Sequence, residues 1–297
     1  MVDALFARFE GAYSKNTIRA YRADFSAYAQ WCHAEGLTPV PASGQQLADY
    51  VDSMAGLKSV ATIQRRVASL GSLFRLMEQP DATKGTDCLL AVKRARRKFG
   101  RPQRQATPLT HEVLLALQAT CDSTLTGQRD RLMLQLGYET LRRRSELVKF
   151  RFRDVARTPA GTYRIRLFRS KTDQFGQGLQ LPVSPALVTM IHRWQERVGS
   201  HTEFILPAIN ADGLIINEPL ADAQVNKILR ARQQEAGLEL EPPLSGHSFR
   251  VGSALDLLKR GVPMEKIMLR GGWKSESTAL RYLREWVGDD MLVWDDT

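Results

Sequence analysis

Apolar residues recur at steps of three and four along the first hundred positions. Over 16–32 the series is Ile18, Tyr21, Phe25, Tyr28 and Trp31, and over 44–54 it is Leu47, Tyr50, Val51 and Met54. Over 59–77 it is Val60, Ile63, Val67, Leu70, Phe74 and Met77. Each series is one face of an α-helix, and 86–98 continues as a fourth. Ser14 is placed to cap the first helix and Gly36 to stop it. No alternating stretch interrupts them, so 1–98 predicts a small all-helical domain whose polar faces carry Lys15, Arg19, Arg22, Arg65, Arg66 and Arg75. Residues 99–108, with two prolines and a glycine, predict a linker. Beyond it Thr110 is expected to cap a short helix, and 128–139 reads as another. The period then falls to two over 150–155 and 163–168, about a turn at Pro159-Ala160-Gly161, with a third short strand over 179–183. Helical spacing resumes over 186–198, 221–236, 247–260, 263–269 and 277–284. The expected fold class is mainly α (α+β). A helical domain over 1–98 and a linker over 99–108 precede a mostly helical domain over 109–297, which has one small antiparallel sheet near its start.

Composition narrows what such a chain does. With 297 residues, 43% of them apolar and 25% charged, it can bury real cores, and global disorder is excluded. Cys32, Cys88 and Cys121 form no CxxC pair, which argues against a disulfide scaffold or zinc module and for a reducing compartment. The first residues lack a basic stretch followed by an apolar run, so no signal peptide is expected. The charge-free stretch 174–192 is broken by Gly176, Gly178, Pro182 and Pro185, which rules it out as a membrane span. A cytoplasmic protein is the expectation. Its net charge of +10 is unevenly spread: 1–108 holds 16 basic and 9 acidic residues, whereas the last thirteen residues hold five acids and no base. Lys93, Arg94, Arg96, Arg97, Lys98, Arg101 and Arg104 form an acid-free basic run at the join, which suits a polyanion because each phosphate contact releases condensed counterions. A solvated helix end running into a linker would have the same composition.

Phosphate-binding P-loops, HExxH, GxSxG and clustered carboxylates are all absent, and the five histidines are scattered. Arginine is instead concentrated at particular places. In Leu141-Arg142-Arg143-Arg144-Ser145-Glu146, an Arg and a Glu three apart can share a helical face, although a plain surface ion pair has the same spacing. In Ser245-Gly246-His247-Ser248-Phe249-Arg250, His247 and Arg250 can project together at a helix start toward an anion. Then come Gly271-Gly272-Trp273 and Tyr282 in Leu280-Arg281-Tyr282-Leu283-Arg284. Arginines flanking a tyrosine favour both its phenolate and a phosphate it attacks.

This order of boxes, with Lys171 in Arg169-Ser170-Lys171-Thr172-Asp173 between two expected strands, resembles the tyrosine recombinases, the phage integrase family. The resemblance is strongest to the Cre-like branch, in the intervals of 3, 23 and 9 residues that separate His247, Arg250, Trp273 and Tyr282. Asn16-Thr17, Tyr21, Asp24 and Trp31-Cys32 resemble that family's core-binding domain. The resemblance covers nearly the whole chain. It implies that Arg143 and Arg250 bind the scissile phosphate, Glu146 orients the first box, and Tyr282 attacks to give a 3′-phosphotyrosyl enzyme. It further implies Lys171 as general acid, His247 as base or phosphate donor and Trp273 as an indole donor. Arg142 and Arg144 have no role in the family and are expected to reach solvent or DNA backbone. No cofactor and no metal is expected.

The implied function is site-specific DNA recombination through a Holliday junction, by a homotetramer closed as C-shaped clamps on double-stranded DNA. The target site would carry inverted-repeat arms around a short spacer. The expected DNA contacts are Arg19, Arg22, Gln64, Arg65, Arg66, Lys93, Arg94, Arg96, Arg97, Lys98, Arg101 and Arg104, with Gln64, Arg65 and Ser69 facing the major groove. Apolar Met291-Leu292-Val293-Trp294, in the tail 285–297, is expected to dock on a neighbouring subunit. A type IB topoisomerase-like enzyme and a DNA-binding regulator on a recombinase scaffold are the competing readings.

Overall fold

Hydroxyl side chains start the helices. In the computed structural model, which describes residues 6–101, 104–168 and 178–283, Ser14, Ser43, Ser59, Thr124 and Ser184 each accept a hydrogen bond from the backbone N–H three residues on. Each bond satisfies one of the orphan donors of a first helical turn. The chain divides into two compact units, 1–103 and 104–297.

In the first unit α1 (Lys15–Ala34), α2 (Gly44–Met54), α3 (Val60–Leu76) and α4 (Thr86–Phe99) follow the predicted periodicity to within about two residues. Helix α1 packs on α3 and α2 on α4. Tyr28, Leu47, Val51, Ile63, Leu70 and Phe74 fill the core, with Tyr28 edge-on to Tyr50 at 5.1 Å between ring centres. Asp24 and Ser69 are buried with them: Asp24 accepts from Ser69 Oγ at 2.8 Å and pairs with Arg65. Ser69 is therefore committed inward, contrary to the expectation that it reads bases. Arg66 also turns inward, onto the Tyr50 hydroxyl at 3.2 Å.

The second unit contains α5 (His111–Ala119), α6 (Leu125–Thr140), α7 (Arg144–Leu147), β1 (Val155–Arg157), β2 (Tyr163–Leu167), β3 (Leu179–Val183) and α8 (Pro185–Val198). It continues with β4 (Pro207–Ile209), β5 (Ile215–Pro219), α9 (Asp222–Glu235), α10 (Gly246–Lys259), α11 (Met264–Gly271) and α12 (Glu276–Leu283). Strands β1, β2 and β3 form an antiparallel sheet, with Ile165 opposite both Val155 and Leu181. Three expectations fail here. Residues 150–155 do not form a strand, because Asp154 bonds back to the Arg151 N–H at 2.7 Å and coils 152–154 into a 3-10 turn before β1 begins. A second antiparallel pair, β4–β5, closes where the Asn210 side chain accepts from the N–H groups of Asp212 and Leu214. Thr110 stands at the start of α5 without a capping bond; the His111 N–H donates to Asp256 Oδ2 at 2.7 Å instead.

The second core is centred on α6, whose residues Leu132, Met133, Leu134 and Leu136 are all buried. Two close approaches tie α10 into it. A β-carbon on Gly137 would lie 2.8 Å from the Phe249 ring, and one on Gly252 would collide with the Leu109 carbonyl. Leu109 also donates its N–H to Ser248 O at 3.0 Å. Just upstream Thr107 Oγ1 donates to Pro242 O at 2.5 Å, and Arg104 pairs with Glu241 at 3.1 Å. The three described cysteines are free and buried. No helix among the described residues is long and apolar enough to cross a membrane.

Candidate active site

The site forms where α6 ends. Leu141, its C-cap, lies in the left-handed region at φ +52, which few non-glycine residues adopt. The helix then stops, and its last carbonyls need donors. Gly137 O accepts from Leu141 N–H, and Tyr138 O from Ser253 Oγ at 2.6 Å. The next three are each met by a different arginine: Glu139 O by Arg270 Nε at 2.8 Å, Thr140 O by Arg142 Nε at 2.9 Å, and Leu141 O by Arg250 Nη1 at 2.8 Å. Positive charge at this end is also where the helix dipole favours it.

These bonds draw separate parts of the chain together. Arg250 Nη1 donates a second bond to Gly271 O at 2.9 Å, and its guanidinium lies 4.6 Å from the Trp273 ring centre. Arg142 donates from Nη2 to Arg270 O, and Arg270 reaches Pro182 O in β3 at 2.9 Å. The first arginine box, the H-x-x-R box, the G-G-W turn and the sheet therefore meet at one point. Both glycines of the turn have a reason. A β-carbon on Gly271 would strike the Trp273 ring, and Gly272 sits at φ +66.

Arg143 and Glu146 are a built pair rather than a surface one. Glu146 is buried, accepts from Arg143 Nη1 at 3.0 Å, and takes the Arg143 backbone N–H at 3.3 Å. The Arg143 side chain stays 27% exposed. Arg250, by contrast, is 2% exposed, so of the two arginines expected on the phosphate one is open and one buried. Arg142 corrects the sequence expectation outright. Expected to reach solvent or DNA backbone, it is 1% exposed, and burial first of all lowers its pKa to about 10. Arg144 is exposed and pairs with Asp222 at 3.4 Å. His247 is the second residue of α10 and exposed, and its pKa is lowered, first by partial burial and then by Arg250, Arg143 and Arg144. Those three cations are its electrostatic neighbours.

Two assigned residues fall partly or wholly outside the described part. Lys171 lies between β2 and β3 and outside the described residues. Tyr282 is in the last turn of α12, and its side chain lies outside the described part. Sequence reasoning missed Arg142 and Arg270. Their sole signal was a third arginine in a run of three and an arginine before G-G-W. In the first unit Arg19, Arg22, Gln64 and Arg65 are exposed, as are Lys93, Arg94, Arg96, Arg97 and Lys98 on α4. Arg101 and Arg104 are exposed as well. Arg94 pairs with Asp52 at 2.9 Å and Arg22 lies over Phe6 at 5.1 Å.

The chain matches known proteins along most of its length. Residues 108–286 match the phage integrase family, and residues 6–79 its N-terminal SAM-like domain. An integrase/recombinase XerD homologue from Selenomonas ruminantium is 30% identical over 94% of this chain and 84% of its own. Recombinase Cre of Escherichia phage P1 is 24% identical over 92% and 85%. The likeness to the XerD homologue thus exceeds that to Cre, and the Cre-like resemblance holds at the level of the family. Among solved structures, a lambda integrase tetramer bound to a Holliday junction superposes with a TM-score of 0.67 over 100% of this chain and 78% of its own, at 18% identity. The XerH recombinase bound to a palindromic difH substrate reaches 0.67 over 94% and 80%, at 15% identity. By fold, motif order and match along its length, this chain is a member of the phage integrase family of tyrosine recombinases.

Proposed function

We propose that this protein cuts and rejoins DNA strands at a specific duplex site through a 3′-phosphotyrosyl intermediate and a Holliday junction, as a DNA-bound homotetramer. The observation that carries the reading is the meeting of the two arginine boxes at the end of α6, with Arg250 bonded to Leu141 O beside Arg143. A phosphodiester under attack gathers negative charge on its non-bridging oxygens, and preorganised guanidinium groups stabilise that charge. Arg143, held by Glu146, is the open arm on the phosphate. Arg250 adds its charge from beneath, and Trp273 covers it.

Tyr282 Oη attacks phosphorus and gives its proton to His247, whose lowered pKa keeps it neutral and able to accept. The leaving 5′-oxygen takes a proton from Lys171. A 5′-hydroxyl from the partner strand then reverses the step, and the tyrosine is restored. The bond energy stays in the phosphotyrosine, so the sequence of steps calls for no nucleotide and no metal.

In this reading 1–98 is the core-binding domain, 99–108 the linker, and 109–297 the catalytic domain, with the tail 285–297 docking on a neighbouring subunit. Exposed Arg19, Arg22, Gln64, Arg65, Lys93, Arg94, Arg96, Arg97, Lys98, Arg101 and Arg104 contact the duplex, whereas Arg66 is turned inward onto the Tyr50 hydroxyl. The protein works in the cytoplasm, on an inverted-repeat site.

The test uses a duplex that the protein enriches from a randomised pool, nicked near the cleavage point so that the released piece diffuses away. Wild type is expected to form a covalent protein–DNA adduct, and Tyr282→Phe to form none while still binding. An adduct that survives the substitution sinks the nucleophile assignment. Binding with no adduct in wild type favours a regulator. Adduct formation without strand exchange between two such sites on one plasmid favours a topoisomerase-like enzyme.

A further inference from the structure

Arg142 is the largest side chain among those buried to under 2% exposure. An arginine in that position is costly, because its charge is taken out of water and must be met by fully matched donors and partners. Here they are matched by backbone. Nε holds Thr140 O at the end of α6, Nη2 holds Arg270 O at the end of α11, and Nη1 lies 3.9 Å from Glu146 Oε2. A β-carbon on Gly272 would come within 3.3 Å of Nη1, so the G-G-W turn is shaped around this guanidinium.

The planar fork reaches three groups at fixed angles, which an ammonium on a flexible stem cannot do. Its neighbours on both sides are constrained as well. Leu141 has its positive φ, and Arg143 is clasped by Glu146 through both side chain and backbone. The segment that carries Arg143 and the segment that leads into Trp273 and α12 are thus bolted together through one side chain. That side chain cannot touch DNA, since it is enclosed.

We propose that Arg142 is a positioning residue for strand cleavage: by gripping Thr140 O and Arg270 O at once, it sets where Arg143 stands relative to Arg250 and the G-G-W turn. It acts through Arg143 and touches no reacting atom. The inference rests on the recombinase reading above and fails separately from it. A wild-type protein that forms no adduct overturns the reading, whereas this proposal is judged only by ratios between variants that do.

The experiment is a double-mutant cycle on the nicked duplex selected by the wild type, with protein in excess so that the single-turnover rate constant reports the bound, folded molecules and the amplitude reports their fraction. Arg142→Lys keeps charge without the fork, and Arg142→Met keeps bulk without charge. Each is expected to slow adduct formation by roughly 10- to 100-fold, the scale set by an ångström of misplacement, with DNA affinity within about threefold of wild type. In an Arg143→Ala background each is expected to cost about threefold or less, because the group being positioned is gone. A larger further loss in that background, or no loss in the native one, overturns the proposal. So does failure of both variants to bind the duplex, since Arg142 would then be a folding residue only.

Discussion

His247 stands among Arg250, Arg143 and Arg144, and the charge of these neighbours adds to burial in lowering its pKa below the usual imidazole value of 6.5. The folded protein therefore releases this proton where the unfolded chain still binds it. In the window just below pH 6.5 the unfolded state carries more protons, so stability rises with pH there and is lost as pH falls through the lowered pKa. The same sign applies to activity if the neutral ring accepts the tyrosine proton. Single-turnover adduct formation, followed from about pH 5 to about pH 8, is expected to hold its plateau down to the usual imidazole value and to decline only below it. An acidic limb centred above that value contradicts the base assignment. Of the residues at this site, His247, Arg250, Arg143 and Glu146 were legible through the order of their boxes, which carries the family resemblance; the three-residue spacing by itself fits a plain surface ion pair equally well. Arg142 was not legible. Three consecutive arginines differ only in the direction each backbone position faces, and the turn at Leu141, set by tertiary contacts, decides that direction.

At the scale of elements, most helices were legible from their period, and those beginning after Ser14, Ser43, Ser59, Thr124 and Ser184 are fixed by a hydroxyl cap as well. The short strands were not. Alternation over 150–155 is outweighed by one carboxylate, Asp154, which bonds back three residues. The β4–β5 pair is three residues on one side, with a proline at its edge, and offers too little pattern to stand out. Helix packing gives a sharper prediction. Helix α10 touches the Leu109 backbone through Gly252, where no side chain fits. Gly252→Ala is expected to destabilise the protein by about 3 kcal/mol, the upper range for an overpacked core, seen as a lowered melting temperature. A melting temperature equal to wild type would mean that α10 and 109 separate more easily than their contact implies.

At the scale of the whole molecule, the excess of basic residues resolves into distinct parts. Arginines at the end of α6 bond to carbonyl oxygens inside the protein, whereas Arg96, Arg97 and Lys98 are exposed on the last turn of α4. Only the second kind is available for a long polyanion. Replacing all three by alanine is expected to flatten the plot of log affinity against log salt by about 0.9 for each phosphate that no longer has a cation beside it. The adduct rate at saturating protein is expected to stay unchanged. A parallel line, weaker by the same factor at every salt concentration, would remove these residues from the DNA-contacting set. Net charge alone could not make this division, since it counts buried and exposed arginines alike.

The stitch at Leu109 bears on where the chain can be divided. Its side chain is buried, its N–H is bonded to Ser248, and its backbone lies in the notch left by Gly252. Two residues earlier Thr107 is anchored to Pro242, and Arg104 to Glu241. What reads in sequence as the tail of a linker is, from 104 onward, a strap belted across the helix that carries His247 and Arg250. A fragment cut at 110 would leave α10 with an open notch at Gly252 and would strip Pro242 O of its Thr107 donor. One beginning at 104 keeps the belt fastened, with Arg104, Thr107 and Leu109 all at their partners.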